Sequence, residues 1–391
     1  MSPLLMHLLS GCPALHRWSG WSMAVAVGVL SSSLPGLTAA DLPAPAGVMA
    51  SSTVSPTPPP LTLLRPDAPA STPAVAPVQP QVPAATLTPF ERNLQRVFAN
   101  DNEADIRVIF GYDNSADIRH VNDPFRAEHF MDYLKKAGYK PVTPTEEKRE
   151  QLGVTADAGN LRLFEGVGTN GRRLNIAMIW SARTTSFARN IGAEYLQQVK
   201  CSEEALKFMQ KAASEAEVML YVGHSREGGG PDTFPPEIKP DGGKYLHRVD
   251  YTPYRNTRPG LASLSSSLSK SKDKPYIMSW ASCKSDVHFS GWFRKVLGQK
   301  EQDTSLIMST RFTTFHPWIA EIADNDEGLM ATVCLLEAFQ FNPSQEAFER
   351  RLKLCEIDAE RISGKPAWRV SSVPGVSAAT PNPAPSTVAE K

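Results

Sequence analysis

Thirteen of the chain's 33 prolines fall between Asp41 and Phe90, and that clustering limits how much of the sequence can fold. Asp41, Arg65 and Asp67 are the only charges in this stretch, where proline alternates with alanine, valine, serine and threonine. Such a segment buries too little apolar surface to offset the entropy of ordering it. It is expected to be an extended, semi-rigid linker over 41–88. The composition returns after Ser371, with Pro374, Pro381, Pro383 and Pro385, which predicts a disordered tail over 371–391. What remains, 89–370, is long enough for one α/β domain with a single well-buried core.

Residues 1–40 read as a signal peptide. Arg17 supplies positive charge, Met23 to Leu30 is a short apolar run, Pro35 breaks the helix, and Thr38-Ala39-Ala40 offers small residues for cleavage after Ala40. This predicts export, to the periplasm or the medium, with the proline-rich linker as a possible envelope tether. An uncleaved membrane anchor is the rival, although the apolar run is far short of the ~20 residues that span a bilayer. Leu9-Ser10-Gly11-Cys12 also looks like a lipoprotein box, but behind an uncharged, short apolar stretch.

Basic and acidic residues balance at 41 each, and no Lys/Arg cluster marks a phosphate-binding face, so nucleic acid is not an expected partner. Past the leader the cysteines are Cys201, Cys283, Cys334 and Cys355, too few for a disulfide framework. Cys334 lies in the apolar stretch Leu329 to Phe339, and Cys355 lies on the stripe Phe348, Leu352, Cys355, Ile362. Both read as buried small hydrophobes.

Strands and helices alternate along the domain. Ile106 to Phe110 is a short apolar run. Asp123 is placed to cap a following helix, with Pro124 at its first position, Phe130 and Leu134 inside and Gly138 at its end. Leu161 to Phe164 and Leu174 to Trp180 flank Thr169-Asn170-Gly171, whose Asn-Gly step favours a hairpin. A helix is expected to start at Ser202, with Leu206, Met209, Ala213 and Ala216 on one face. Val218 to Val222 is apolar on both faces, as a central parallel strand requires. Another helix begins near Pro259. Tyr276 to Trp280 is a strand, Phe289 to Leu297 a helix and Leu306 to Ser309 a strand. The pattern predicts an α/β fold with a mainly parallel sheet and helices on both faces.

In such sheets ligands and catalytic groups collect at the carboxyl ends of the strands. Two ends stand out. One is Val222-Gly223-His224-Ser225 with its loop Arg226-Glu227-Gly228-Gly229-Gly230-Pro231. The other is Ser279-Trp280-Ala281-Ser282-Cys283-Lys284-Ser285-Asp286.

This arrangement resembles the caspase-like cysteine peptidases, the group of metacaspases, legumains, gingipains and separases, in which a His and then a Cys each follow an apolar strand. The strand and helix order from Ile106 to Phe339 is compatible with that fold. The stretch from Ala281 to Asp286 is similar to the metacaspase sequence Asp-Ser-Cys-His-Ser-Gly at Ser282, Cys283 and Ser285. Ser225 stands where the family usually has Gly, and Ala281 where it has an acid. The first change leaves a backbone N–H available, and the second removes the family's usual reason for basic-residue specificity. The resemblance implies a thiol endopeptidase acting on a peptide or protein, with Cys283 as nucleophile and His224 as its proton carrier. It calls for no metal or other cofactor.

The chemistry fits those residue types. A thiolate is the attacking species, so Cys283 needs a base or a positive field, which His224 supplies and Lys284 assists. The oxyanion needs paired donors, expected from the Cys283 N–H and from the loop of Ser225, Gly228, Gly229 and Gly230. Gly223-His224-Ser225-Arg226-Glu227-Gly228 also comes within one residue of the nucleophile elbow of serine hydrolases, with Ser225 as nucleophile. The elbow requires a helix directly after the serine, and Gly228 to Pro240 is too rich in glycine and proline to form one.

Blander readings stand beside this one. A degenerate relative would keep the fold as a binding module. His224, Cys283 and His288 have ligand chemistry for a metal but lack closely spaced pairs. Cys283 paired with Cys201 would be a disulfide. By the resemblance, Leu306 to Trp318 shapes the specificity pocket, where Arg311 favours an acidic side chain or Asp286 a basic one. Trp280, Trp292 and Trp318 are pocket walls or core.

Overall fold

The computed structural model of the chain describes residues 86–114, 119–155, 158–240, 247–313, 315, 326–354, 356 and 366–376, all within one compact unit, Thr72–Lys391. The signal segment, nearly all of the linker, Cys355, Ile362, Trp318 and the tail beyond 376 lie outside the described residues. Among the described residues no helix is long and apolar enough to cross a membrane.

The fold is α/β. Ten strands are described: β1 (Glu103–Phe110), β2 (Lys140–Val142), β3 (Leu161–Val167), β4 (Arg173–Trp180), β5 (Val218–Val222), β6 (Ile238–Pro240), β7 (His247–Val249), β8 (Ile277–Ala281), β9 (Thr304–Ser309) and β10 (Trp368–Val373). Eight form one sheet in the order β10-β9-β8-β5-β1-β4-β3-β2, and β6 and β7 make a separate ribbon. The centre, β9-β8-β5-β1-β4, is parallel, while β10, β3 and β2 join antiparallel at the edges. The expected hairpin is β3–β4, and Gly171 takes the left-handed conformation its turn requires (φ 75°).

The described helices are α1 (Pro89–Arg96), α2 (Asp123–Lys136), α3 (Glu146–Gln151), α4 (Phe187–Ile191), α5 (Tyr195–Glu215), α6 (Thr252–Thr257), α7 (Pro259–Lys270), α8 (Ser285–Leu297), α9 (Glu327–Phe341) and α10 (Gln345–Leu354). Apolar residues of α1, α2, α9 and α10 pack on one face of the sheet. Those of α5, α7 and α8 pack on the other. Every residue of β5 and β8 is therefore buried, which explains why neither strand shows polar alternation. In α8, Phe289 and Phe293 meet Trp280 edge-on at 6.0 and 5.1 Å, and each buried ring contributes about 2 kcal/mol to anchoring the helix. Trp280 is thus core, as Trp292 is in part.

Several local expectations need correction. Asp123 does not cap α2. Its carboxylate accepts the N–H groups of Asp113, Ser181 and Ala182, tying the end of β1 to the end of β4. α5 starts at Tyr195, and Ser202 is buried within it, accepting a hydrogen bond from Gln198 one turn earlier. Strand β10 carries order through Val373, into the segment expected to be tail, because Ser371 to Val373 complete the pairing with β9. Cys334 is buried but is not a free thiol: it forms a disulfide.

Candidate functional site

Three neighbouring strands end together. Phe110 of β1 is in register with Val222 of β5, and Val222 with Ala281 of β8. Asp113, His224 and Cys283 follow those three positions within three residues, on strands about 4.8 Å apart. Tyr221 supports this end from below. Its hydroxyl donates to the His224 carbonyl at 3.1 Å and accepts the Asp232 N–H at 3.2 Å. A Cβ on Gly111 or Gly223 would come within 2.3 or 2.7 Å of that oxygen, so both positions must be glycine.

The His224 ring is about one-third exposed, and its Nε2 lies 2.7 Å from Asp113 Oδ1 and 2.9 Å from the Asn114 carbonyl oxygen. Both neighbours are acceptors, so the hydrogen-bond network assigns the proton to Nε2 and leaves the lone pair on Nδ1. Asp113 is nearly fully buried. Burial alone would raise its carboxyl pKa, but the charge and hydrogen bond of His224, with Arg126 and Arg226, hold it well below the usual carboxylate range. Sequence reasoning missed Asp113, although Phe110-Gly111-Tyr112-Asp113 carries the signal that marked the other two ends: a polar residue just past an apolar strand.

Cys283 occupies the short link between β8 and α8. Ser285 fixes that link by donating to the Trp280 carbonyl at 2.7 Å and accepting the Ser309 N–H at 2.8 Å. The thiol is half-buried and free, and Cys201 is buried and also free, so no disulfide joins the two. It sits next to the amino terminus of α8, the positive end of the helix dipole. Its sulfur rests 3.6 Å from Thr313 Oγ1. No hydrogen bond joins the thiol to the His224 imidazole among the described residues. The Lys284 ammonium lies 4.3 Å from the centroid of the exposed Phe312 ring.

Backbone strain gathers at these loops. Six described non-glycine residues have positive φ, and four of them are Arg226 (47°), Glu227 (51°), Lys284 (51°) and Arg258 (47°). Each costs about 1–3 kcal/mol, and such residues cluster at functional sites. Arg258 joins the two loops, donating to the Gly228 carbonyl at 2.7 Å and the His288 carbonyl at 2.5 Å.

The glycine loop does not serve as expected. Its amides are used internally: Gly228 and Gly230 donate to the Ser225 carbonyl, and Gly229 to that of Arg226. The glycines allow close packing instead, since a Cβ on Gly229 would lie 2.5–2.6 Å from Tyr254 and one on Gly230 2.8 Å from the His224 carbonyl oxygen. The Ser225 and Cys283 amides have no hydrogen-bond partner among the described residues. Ser225 itself is buried and followed by a single 3₁₀ turn, Arg226–Gly228, rather than the helix of a nucleophile elbow.

The two pocket charges are both paired. Asp286 accepts from Arg369 of β10 at 2.6 Å, and Arg311 meets the buried Glu327 at 2.7 Å. His288 packs beside Gly228, and burial with the nearby charges of Arg258 and Lys284 holds it below the usual imidazole range. Among the described residues no three His, Cys, Asp or Glu side chains gather as metal ligands. A groove of about 570 Å³, lined in part by Glu103, Asp105, Lys140 and Arg173, opens at the amino-terminal end of β1, the end opposite the candidate site.

No protein-family model, curated protein or solved structure matches the chain.

Proposed function

We propose that the chain is a caspase-like thiol endopeptidase. The observation that carries this reading is the placement of Asp113, His224 and Cys283 at three adjacent strand ends, with the imidazole proton held by Asp113 and the Asn114 carbonyl. The Cys283 thiol passes its proton to His224 Nδ1. The sulfur attacks a peptide carbonyl carbon, forming an S–C bond while the carbonyl π pair moves to oxygen. The free Cys283 and Ser225 amides supply the donors for that oxyanion. Collapse breaks the C–N bond, and the leaving amine takes the proton from the imidazolium. His224 then deprotonates a water that hydrolyses the thioester and restores the thiol. Asp113 acts through His224, keeping one tautomer and balancing the imidazolium charge.

The segment 1–40 supports export, and the linker over 41–88 would set the domain at a distance from an envelope attachment. N-terminal sequencing of the mature protein tests this; a start at Asp41 supports it, and an intact chain in the cytoplasm overturns it.

The peptidase reading is tested with the full chain on a proteome-derived peptide library, alongside pH-dependent alkylation of Cys283. Cleavage lost in Cys283→Ser, with labelling that depends on His224, supports it. Labelling indifferent to His224→Ala and no cleavage would instead make the fold a binding module.

A further inference from the structure

Arg126 enters α2 one turn from its start, and its side chain is almost fully buried beside the site. Its Nη1 donates to Asp113 Oδ2 at 2.8 Å, the oxygen not used by His224. Its Nε and Nη2 hold Asp326 in a two-pronged pair at 2.5 and 2.7 Å. Burial disfavours a charged guanidinium, but the Asp326 carboxylate more than reverses this and keeps Arg126 cationic. Asp326 has a second task, since its Oδ1 accepts the Leu329 N–H and caps α9. Phe315, bridged to Asp326 through its backbone, lays its ring 5.0 Å from the guanidinium. Two residues before Phe315, Thr313 touches the Cys283 sulfur. A Cβ on Gly328 would meet Arg126 Nη2 at 2.9 Å and the Ala281 Cβ at 3.3 Å, so the Gly328 backbone packs against both the guanidinium and the end of the cysteine strand.

We propose that Arg126 is a positioning residue of the site. It fixes the Asp113 carboxylate so that Oδ1 faces His224, and through Asp326 and Phe315 it joins the imidazole's orientation to the chain stretch that touches the thiol. A guanidinium suits the task because its planar fork can engage one carboxylate with two donors while a third reaches another; a lysine ammonium has no such fork. Without it, two buried carboxylates would stand close together with no cation between them, and Asp113 would be free to turn from His224.

This rests on the peptidase reading in one arm only, so the experiment has two. In the full chain carrying ¹⁵N-histidine, the ring of His224, assigned with His224→Gln, reports its tautomer whether or not the protein is an enzyme. The wild type is expected to hold the Nε2–H form. Arg126→Gly, which leaves a space of guanidinium shape, should show a tautomer mixture and label Cys283 about 100-fold more slowly. Added guanidinium at millimolar concentration should restore both signals. Asp326→Asn keeps an oxygen for the α9 cap and should move both signals in the same direction but less, which covers the case in which Arg126→Gly does not fold. An unchanged His224 tautomer in both variants overturns the proposal. A tautomer change with wild-type labelling that ignores His224 upholds the positioning role and overturns the peptidase reading.

Discussion

His224 and Cys283 each stand two residues past a paired position, Val222 opposite Ala281, on adjacent parallel strands. The sheet alone thus brings their backbones together, while the hydrogen-bond contact of the thiol among the described residues is with Thr313 Oγ1 at 3.6 Å. Thr313→Val removes that hydroxyl and keeps the shape. A thiol hydrogen bond contributes about 1 kcal/mol at most, so Cys283 alkylation at neutral pH should quicken about threefold. Mass-mapped labelling rates check this, and slower labelling would mean that Thr313 supports the reactive rotamer instead.

Asp113 makes acid sensitivity predictable. Its folded pKa is depressed, chiefly by His224 in opposition to burial, so it contributes stability that is present above the unfolded value of about 4 and lost as pH falls below that. Chemical denaturation between pH 5 and 3 should show the wild type losing about 1 kcal/mol more than Asp113→Asn over the same window. Parallel curves for the two proteins would show that Asp113 gains nothing from His224 and Arg126.

Because Arg311 and Asp286 are already paired, neither should decide the charge of the side chain accepted at the site. Arg311→Gln removes a guanidinium from the buried Glu327 and should cost about 3 kcal/mol in stability without changing cleavage preference. Asp286→Asn, facing the more exposed Arg369, should cost less than about 1 kcal/mol. Library profiles of both variants, compared with the wild type after correction for folded fraction, check this. A switch in preference between acidic and basic residues in either variant would sink it.

The central strands were legible because burial on both faces leaves unbroken apolar runs such as Val218 to Val222, and the hairpin because Asn170-Gly171 demands a tight turn. The two marked strand ends, at His224 and Cys283, followed from the same runs. What stayed hidden depends on partners far along the chain. Nothing near Asp123 in sequence reveals that its carboxylate faces Ser181 and Ala182 rather than its own helix. The pairing of Arg126 with Asp326 spans 200 positions and leaves no periodic trace. Gly228 to Gly230 were visible as a loop, but only packing against Tyr254 shows that their backbone is spent within the protein.

Ser225 separates the competing chemistries most sharply. Its amide is free among the described residues, and its φ of −83° lies close to the angle a proline ring imposes. Ser225→Pro therefore deletes one N–H with little strain, while Ser225→Ala deletes only the hydroxyl. If the amide binds the oxyanion, the proline variant should keep its thermal midpoint and lose about 100-fold in kcat, and the alanine variant should match the wild type. If Ser225 were the nucleophile of a serine hydrolase, Ser225→Ala would abolish turnover and Cys283→Ser would not. Equal activity in all three variants and the wild type would place the chemistry away from both strand ends.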